Sequence, residues 1–342
     1  MIKRPYARPT IKDVARVAGV SISTASYALN DRYGASAATR ERVVAAAAQL
    51  GWWPDSSARR LASSRSESVG LVLPVRTAAS FGEAPWFMEF ISGVDAALGE
   101  RSYGLLLQAV RDSDQELAIY RSWARSRRVD GAVLVDVVSG DPRPGLAAFL
   151  GLPVVVAGPP EFAAGFSCVW TDDGSAVRDA VDHLAQLGHH RLARVAGPSH
   201  LAHSIVRGRA FQETCAELGL ELTTVVSDFS SAGAQAATRD LLASNPRPTA
   251  VICDDDLGAV VALGVAQEVG VAVPAELSIL AWDDSILCRS THPQLSAMSH
   301  DVRSYGAHIA ERLLEAIGGA RPVVQLEAPP RLVVRGTTGP PS

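Results

Sequence analysis

Between residues 10 and 50 the apolar positions recur at spacings of three and four, in three short runs. Ile11, Val14, Ala15 and Ala18 make one stripe. Ala25, Ala28 and Leu29 make a second, and Val43, Val44, Ala47 and Leu50 a third. Each run follows a residue able to cap a helix, Thr10, Ser21 and Ser36, and the first and third stop at Gly19 and Gly51. The spacing predicts helices over 11–17, 22–29 and 37–50, the first two joined through Gly19-Val20 as a helix-turn-helix. From Val69 the texture changes. Almost wholly apolar runs at 69–75, 103–110, 131–138, 153–158, 192–197, 223–229, 250–255 and 277–284 are separated by amphipathic segments. Helices are expected near 90–98, 207–218, 234–242 and 258–269. Short strands without polar alternation imply parallel sheets covered on both faces. Two such sets predict two doubly wound lobes, with ligands bound beyond the carboxyl ends of the strands.

Charge sharpens this division. The 342 residues sum to −4, with 47% apolar and 20% charged residues, a globular composition long enough for two or three units. Residues 1–66 hold eleven Lys/Arg against four Asp/Glu, and the rest hold 21 against 32, so the balances are +7 and −11. A basic head patterned for helices suits a polyanion, and the acidic body does not. No apolar run is long enough to span a bilayer, and no apolar segment precedes a cleavage-like site. Cys168, Cys215, Cys253 and Cys288 form no C-x-x-C pair and read as reduced packing residues of a cytoplasmic protein.

Candidate chemistry appears in three places. In "SISTASYALND" the hydroxyls of Ser21, Thr24 and Ser26 can donate to phosphate oxygens without bulk, or serve only as caps and surface groups. Ile22, Ser23 and Tyr27 would then point at base edges. In "PDSSARRLASSRSES", Pro54 ends the third helix, and Asp55 or Ser56 can cap a short segment holding Ala58 and Leu61; a flexible linker is the plainer reading. In the body, "CDDD" and "WDD" end two strands and direct Asp255 and Asp283 to a cleft. Arg207 starts a helix after 192–197, and Phe229 follows a strand. Carboxylates, a guanidinium and a flat aromatic suit a polyhydroxylated ring. Trp86, Phe87 and Asp136 are the candidates on the other lobe. Each has a plainer reading. Asp254–Asp256 has no nearby histidine in sequence to make a metal site, and Asp283-Asp284 has no nucleophile partner. Arg207 can equally be a structural salt bridge, and His189-His190 closes a helix and opens a strand.

"TIKDVARVAGVSISTASYALN" followed by "SAATRERVVAAAAQLGWWPDSSARRLA" resembles the DNA-binding headpiece of the LacI/GalR family of bacterial transcription regulators. Weaker similarity runs on to "LVVRGTT", so it covers almost the whole chain. The resemblance implies an all-α headpiece at 1–53, a hinge helix at 54–67 and a periplasmic-binding-protein-like body at 68–342. It places one lobe at about 68–167 and 296–324 and the other at about 168–295 and 325–342, with crossings near 165–170, 290–297 and 322–328. Positions matching Ile22, Ser23 and Tyr27 read bases in that family. Those matching Thr10, Ser21, Thr24, Ser26, Asn30 and Thr39 hold the DNA backbone. Leu61 matches a minor-groove wedge, with Ala58 near the groove floor and Arg59 and Arg60 near phosphates. Arg207, Phe229, Asp255 and Asp283 fall on ligand-contact positions, and His300 on one that can line the pocket.

The chain also departs from the family pattern. Tyr27 stands where arginine is frequent, Asp255 replaces a common asparagine, Gly158-Pro159 stands for an Asp-Arg-like pair, and the loop at 76–87 is long. The expected protein is a dimeric repressor of a palindromic operator, without cofactor, metal or catalysis, controlled by a small effector, most simply a sugar. No heptad tail follows "LVVRGTTGPPS", which argues against a tetramer formed through such a tail. A purine-type effector, a solute carrier or a sugar-processing protein is the competing expectation; the basic head and the missing nucleophile weigh against the last two.

Overall fold

The computed structural model describes residues 9–29, 34–52, 65–74 and 85–342, and the chain divides into two compact units, 1–66 and 67–342. Asn30, Ala58, Arg59, Arg60 and Leu61 lie outside the described residues.

The first unit contains α1 (Ile11–Ala18), α2 (Ile22–Leu29) and α3 (Ala37–Leu50). Val14, Ala15, Ala25, Ala28, Val43, Ala46 and Ala47 are buried between them, with Ile11, Leu29, Leu50 and Trp52 against the edge. Side chains this small let three short helices approach closely. Gly19 adopts φ 66°, which lets its own N–H reach Arg16 and that of Val20 reach Ala15. Val44, expected in the core, is 51% exposed, and Ala46 takes its place. Residues 43, 46, 47 and 50 share one face of a 3.6-residue helix, and 44 lies on its flank.

The second unit begins with β1 (Ser68–Pro74), α4 (Pro85–Glu100), β2 (Gly104–Val110), α5 (Ser113–Ser126), β3 (Gly131–Leu134), α6 (Pro142–Leu150), β4 (Val154–Ala157) and β5 (Ser167–Trp170). It continues through α7 (Asp173–Gln186), β6 (Arg191–Ala196), α8 (Ala202–Leu218), β7 (Glu221–Val226), α9 (Ser231–Ala243) and β8 (Ala250–Cys253). Then come α10 (Asp256–Glu268), β9 (Ser278–Trp282), α11 (Ile286–Ser290), β10 (Ser296–Ser299), α12 (Val302–Ile317), β11 (Val324–Leu326) and β12 (Arg331–Val333). One sheet runs β11-β5-β4-β3-β1-β2, all parallel, with Leu71 of β1 facing Leu107 and Val133. The other runs β12-β10-β9-β8-β6-β7, parallel except for β12, which pairs antiparallel with β10. Both are doubly wound, with β1 and β6 at the points where strand order reverses.

The chain passes between sheets after β5, after β10 and between β11 and β12. The first two passages fall just after the 165–170 and 290–297 that the resemblance implies, so Ser167–Trp170 belongs to the first sheet and Ser296–Ser299 to the second, while the third, between 326 and 331, overlaps the implied 322–328. Apolar patterning marks a strand without saying which sheet completes its ladder, which is why these ends slipped. Helices α4 and α8 also start earlier than the periodicity suggested. Pro85 opens α4, and α8 begins at Ala202, whose N–H donates to the Val137 carbonyl at 2.8 Å. Arg207 is therefore in the second turn of α8, not at its start.

Helices α4 and α12 cross through glycines. A Cβ on Gly93 would overlap the Arg303 carbonyl, and one on Gly306 the Phe90 carbonyl. Gly306→Ala should therefore destabilise the body by about 2 kcal/mol, read as a lower urea midpoint, because the helices must separate or distort. An unchanged midpoint would show that α12 can shift freely against α4.

Candidate nucleic-acid interface and effector cavity

In the head, Ser21 and Ser36 cap their helices as expected. Ser21 Oγ accepts the Thr24 N–H at 3.0 Å and lies 2.8 Å from both Ser23 Oγ and Thr24 Oγ1. Ser36 Oγ accepts the Thr39 N–H at 3.2 Å and lies 2.9 Å from Thr39 Oγ1. Two helix N-termini thus present clustered hydroxyls, where unpaired N–H groups and the helix dipole favour an anion. Thr10 is tied differently: its N–H and hydroxyl both donate to Asp13 Oδ2, at 3.0 and 2.8 Å, and these bonds lower the Asp13 pKa. Along α2, Ala25 and Ala28 face the core, while Ile22 and Tyr27 are 47% and 43% exposed. The outward face of α2 therefore carries Ile22, Ser23 and Tyr27, with Ser26 half-buried beside them.

In the body, one cavity of about 230 Å³ lies between the lobes, and all eight residues singled out from the sequence line it: Trp86, Phe87, Asp136, Arg207, Phe229, Asp255, Asp283 and His300. Strand ends explain the convergence. Asp136 follows β3, Phe229 follows β7, Asp255 follows β8, Asp283 follows β9 and His300 follows β10. Asp136, Phe229 and Asp283 have φ of 48°, 62° and 70°, left-handed values that cost non-glycine residues about 1–3 kcal/mol each. Such strain is tolerated where surrounding contacts enforce it. The Phe229 ring lies directly on Gly197, where any Cβ would overlap it, and is stacked beside His203 with centroids 6.1 Å apart.

Arg207 is held by three contacts. Its Nε donates to Asp173 Oδ2 at 2.7 Å, its Nη1 donates to the Asp254 carbonyl at 3.1 Å, and its guanidinium lies 4.2 Å from the centre of the Trp282 ring. It is a structural ion pair that also forms the cavity wall. Burial alone would raise the Asp173 pKa, but the charge and hydrogen bond of Arg207 outweigh it and hold the carboxylate ionised. Asp254 is 2% exposed; both its oxygens are held by Arg194, and one also accepts the Gly197 N–H at 3.1 Å.

Asp255 caps α10 through the Gly258 N–H at 3.2 Å. Burial first, then the Asp256 and Asp254 charges, push its pKa up to about 8. Burial raises Asp256 to about 6, and its Oδ2 has no hydrogen-bond partner among the described residues. His300 Nε2 and Asp283 Oδ1 are 3.0 Å apart, and the Trp86 indole nitrogen stands 3.4 Å from the same Nε2. Trp86 itself stacks on Phe90 at 5.1 Å.

The lobes touch beside the cavity as well as at the crossings. Ala202 donates to Val137, and Val138 bridges Leu201. The segment carrying Asp136 is braced from behind by buried Arg143, which donates to the Asp136 carbonyl at 3.1 Å, to Asp141, and to Glu116 at 2.8 Å.

Several cavity residues had no sequence signal. Trp170, Asp173, His203 and Tyr305 come from four elements, β5, α7, α8 and α12. Trp170 Nε1 is buried and unpartnered among the described residues. His203 and His300 line the same cavity as Asp254–Asp256, and among the described residues no group of three or more His, Cys, Asp or Glu is placed to hold a metal ion. His189 has the structural role read for it, bonding Thr249, Ser278 and the Gly339 carbonyl at 2.9–3.0 Å. All four cysteines are free and buried. No helix among the described residues is long and apolar enough to cross a membrane.

The His300–Asp283 pair makes stability pH-dependent. Burial lowers the His300 pKa, but the hydrogen bond and charge of Asp283, aided by Asp173, leave it raised above 6.5. The protonated pair therefore stabilises the body fully below about pH 6.5, and that contribution is lost as pH rises through the raised value. In His300→Gln this part of the melting-temperature profile should be absent; an unchanged profile would mean the pair is not ionic.

The arrangement recurs in known proteins. A family model described as bacterial regulatory proteins, lacI family, matches residues 10–55, and one for a periplasmic binding protein-like domain matches 181–338. The chain is 32% identical to the transcriptional regulator AglR of Rhizobium meliloti, covering 96% of this chain and 94% of that one. It is 31% identical to the transcriptional regulator CelR of Thermobifida fusca, covering 91% and 93%. Among solved structures, the lac repressor dimer bound to operator and the anti-inducer ONPF aligns over 97% of this chain and 99% of its own, with TM-score 0.83 and 25% identity. With its helix-turn-helix head, its two-lobed body and relatives matched over nearly their whole length, the chain belongs to the LacI family of bacterial regulatory proteins and is a transcriptional regulator, not an enzyme.

Proposed function

We propose that this regulator is a repressor that binds a palindromic operator as a homodimer and is controlled by a polyhydroxylated ring compound seated between its lobes. The observation that carries the reading is the convergence of Arg207, Asp283, Asp255 and Phe229 on one cavity of about 230 Å³, in a chain whose head exposes a hydroxyl-rich α2. Carboxylates and a guanidinium bond hydroxyls, and the aromatic walls cover an apolar ring face. The solved structure of a CelR–cellobiose complex, 29% identical over 96% of this chain with TM-score 0.74, supports a sugar. A single small head reads too few bases for a unique site, so two heads related by a twofold axis are needed, which makes the operator palindromic. Ser21, Thr24, Ser26 and Thr39 hold phosphates, and Ile22, Ser23 and Tyr27 read bases. Thr10 belongs with the phosphate group through its position rather than a free hydroxyl. Asn30 joins the same set; Leu61 is the minor-groove wedge, with Ala58 near the groove floor and Arg59 near phosphates. The protein works in the cytoplasm, where the DNA is. Effector and operator affinities are reciprocally coupled: a compound that releases DNA binds less tightly in the DNA complex.

Two measurements test this. Arg207→Ala should weaken effector binding by about 10- to 100-fold, the worth of a charged hydrogen bond, while operator binding without effector is kept. Equal affinity for both proteins by calorimetry would remove Arg207 from the site. Tyr27→Arg should change the preferred base at one position per half-site in selection from random DNA, since arginine grips guanine bidentately and tyrosine does not. Recovery of the same site with both proteins would make Tyr27 a packing residue.

A further inference from the structure

The end of the cavity at α10 has an electrostatic imbalance that a neutral sugar does not resolve. Asp173 is matched by Arg207, Asp254 by Arg194 and Asp283 by His300. Asp255 and Asp256, both lining the cavity, have no cationic partner among the described residues. Asp255 accepts the Gly258 N–H at 3.2 Å and Asp256 the Leu257 N–H at 2.8 Å, both at the start of their own helix, and the neutral Ser285 hydroxyl also bonds Asp256. The N-terminus of α10 offsets about half a unit charge, against two carboxyl groups. The neighbouring charges that act most on the pair are Asp254, Asp283 and each other, all acidic. Asp256 is 4% exposed, and its Oδ2 has no partner. Leaving a carboxylate oxygen buried and unbonded is costly unless something arrives to bond it. Asparagine at 255 would cap α10 as well without the charge, so the cap does not explain the acid.

Resting on the reading of the cavity as the effector site, we propose that the effector carries a protonated nitrogen, seated as an ammonium between Asp255 and Asp256, and that these two residues set its selection over the neutral analogue. The ammonium donates to oxygens of both carboxyl groups, supplying a cation that the described residues lack at this end. The remaining hydroxyls of the ring are left for Arg207 and Asp283. Cation binding draws both carboxyl groups into their ionised form, so part of the binding is coupled to proton release into solution.

Matched pairs decide this, with the full-length protein: glucose against glucosamine, and cellobiose against the disaccharide of glucosamine, by isothermal calorimetry in two buffers of different ionisation enthalpy. The amine member of at least one pair should bind about tenfold or more tighter than its neutral partner, with proton release that the neutral partner lacks. Asp255→Asn and Asp256→Asn should erase the preference while keeping the α10 cap and the melting temperature. Tighter binding of the neutral member, or a preference unchanged in both variants, overturns the ammonium and leaves the sugar-type effector standing. Binding by neither member of either pair overturns the polyhydroxylated effector itself, and this inference with it.

Discussion

Asp254 is the point on which the second lobe's half of the cavity is assembled. Its carboxylate is out of water and survives there only because Arg194 and the Gly197 N–H satisfy it. Removing either partner of such a pair leaves an uncompensated buried charge, which is far more damaging than the pair is stabilising. Its carbonyl accepts from Arg207, which Asp173 holds from the other side. Gly197, bonded to Asp254, is also the floor under Phe229. One buried carboxylate thus positions the guanidinium and the aromatic ring that give the cavity its chemistry.

The first lobe solves the same problem with a different cluster. Arg143 is enclosed by Asp141 and Glu116 and reaches the carbonyl of Asp136, whose left-handed φ turns the chain at the end of β3. The next residues bond across to Leu201 and Ala202 at the start of α8. The strained turn at the cavity, its brace and an interlobe contact are therefore consecutive in space. A ligand touching Asp136 acts on the contact between lobes, which is the physical link that effector control of DNA binding requires: differential interaction with two arrangements of one element.

The charge of the molecule is arranged by task. The basic head can exploit phosphates, with affinity falling steeply as salt rises. The acidic excess of the body includes the aspartates that line the cavity between its lobes. Net charge near zero conceals both.

Much of this was legible from residue order alone. Local rules decide capping and helical stripes, so Ser21, Ser36, Gly19 and the inward faces of α1 and α2 follow from neighbours within one turn. Apolar runs ending in Asp255, Phe229 and Asp283 mark strand ends, and parallel sheets put ligands at those ends. What neighbours in sequence do not encode is pairing across long separations. The sheet that receives Ser167–Trp170 or Ser296–Ser299, the antiparallel course of β12, and the meeting of Asp173 with Arg207 are set by which ladders and charges the folded chain can complete. So is the fate of the acids in "CDDD": three adjacent residues of one type became an ion-paired node, a helix cap and a buried carboxyl with an open oxygen. The sequence by itself determined the family, the two units and eight of the residues facing the cavity; only the tertiary structure added the others and decided which of those charges are neutralised, because compensation depends on partners brought together from β6, α7 and α8.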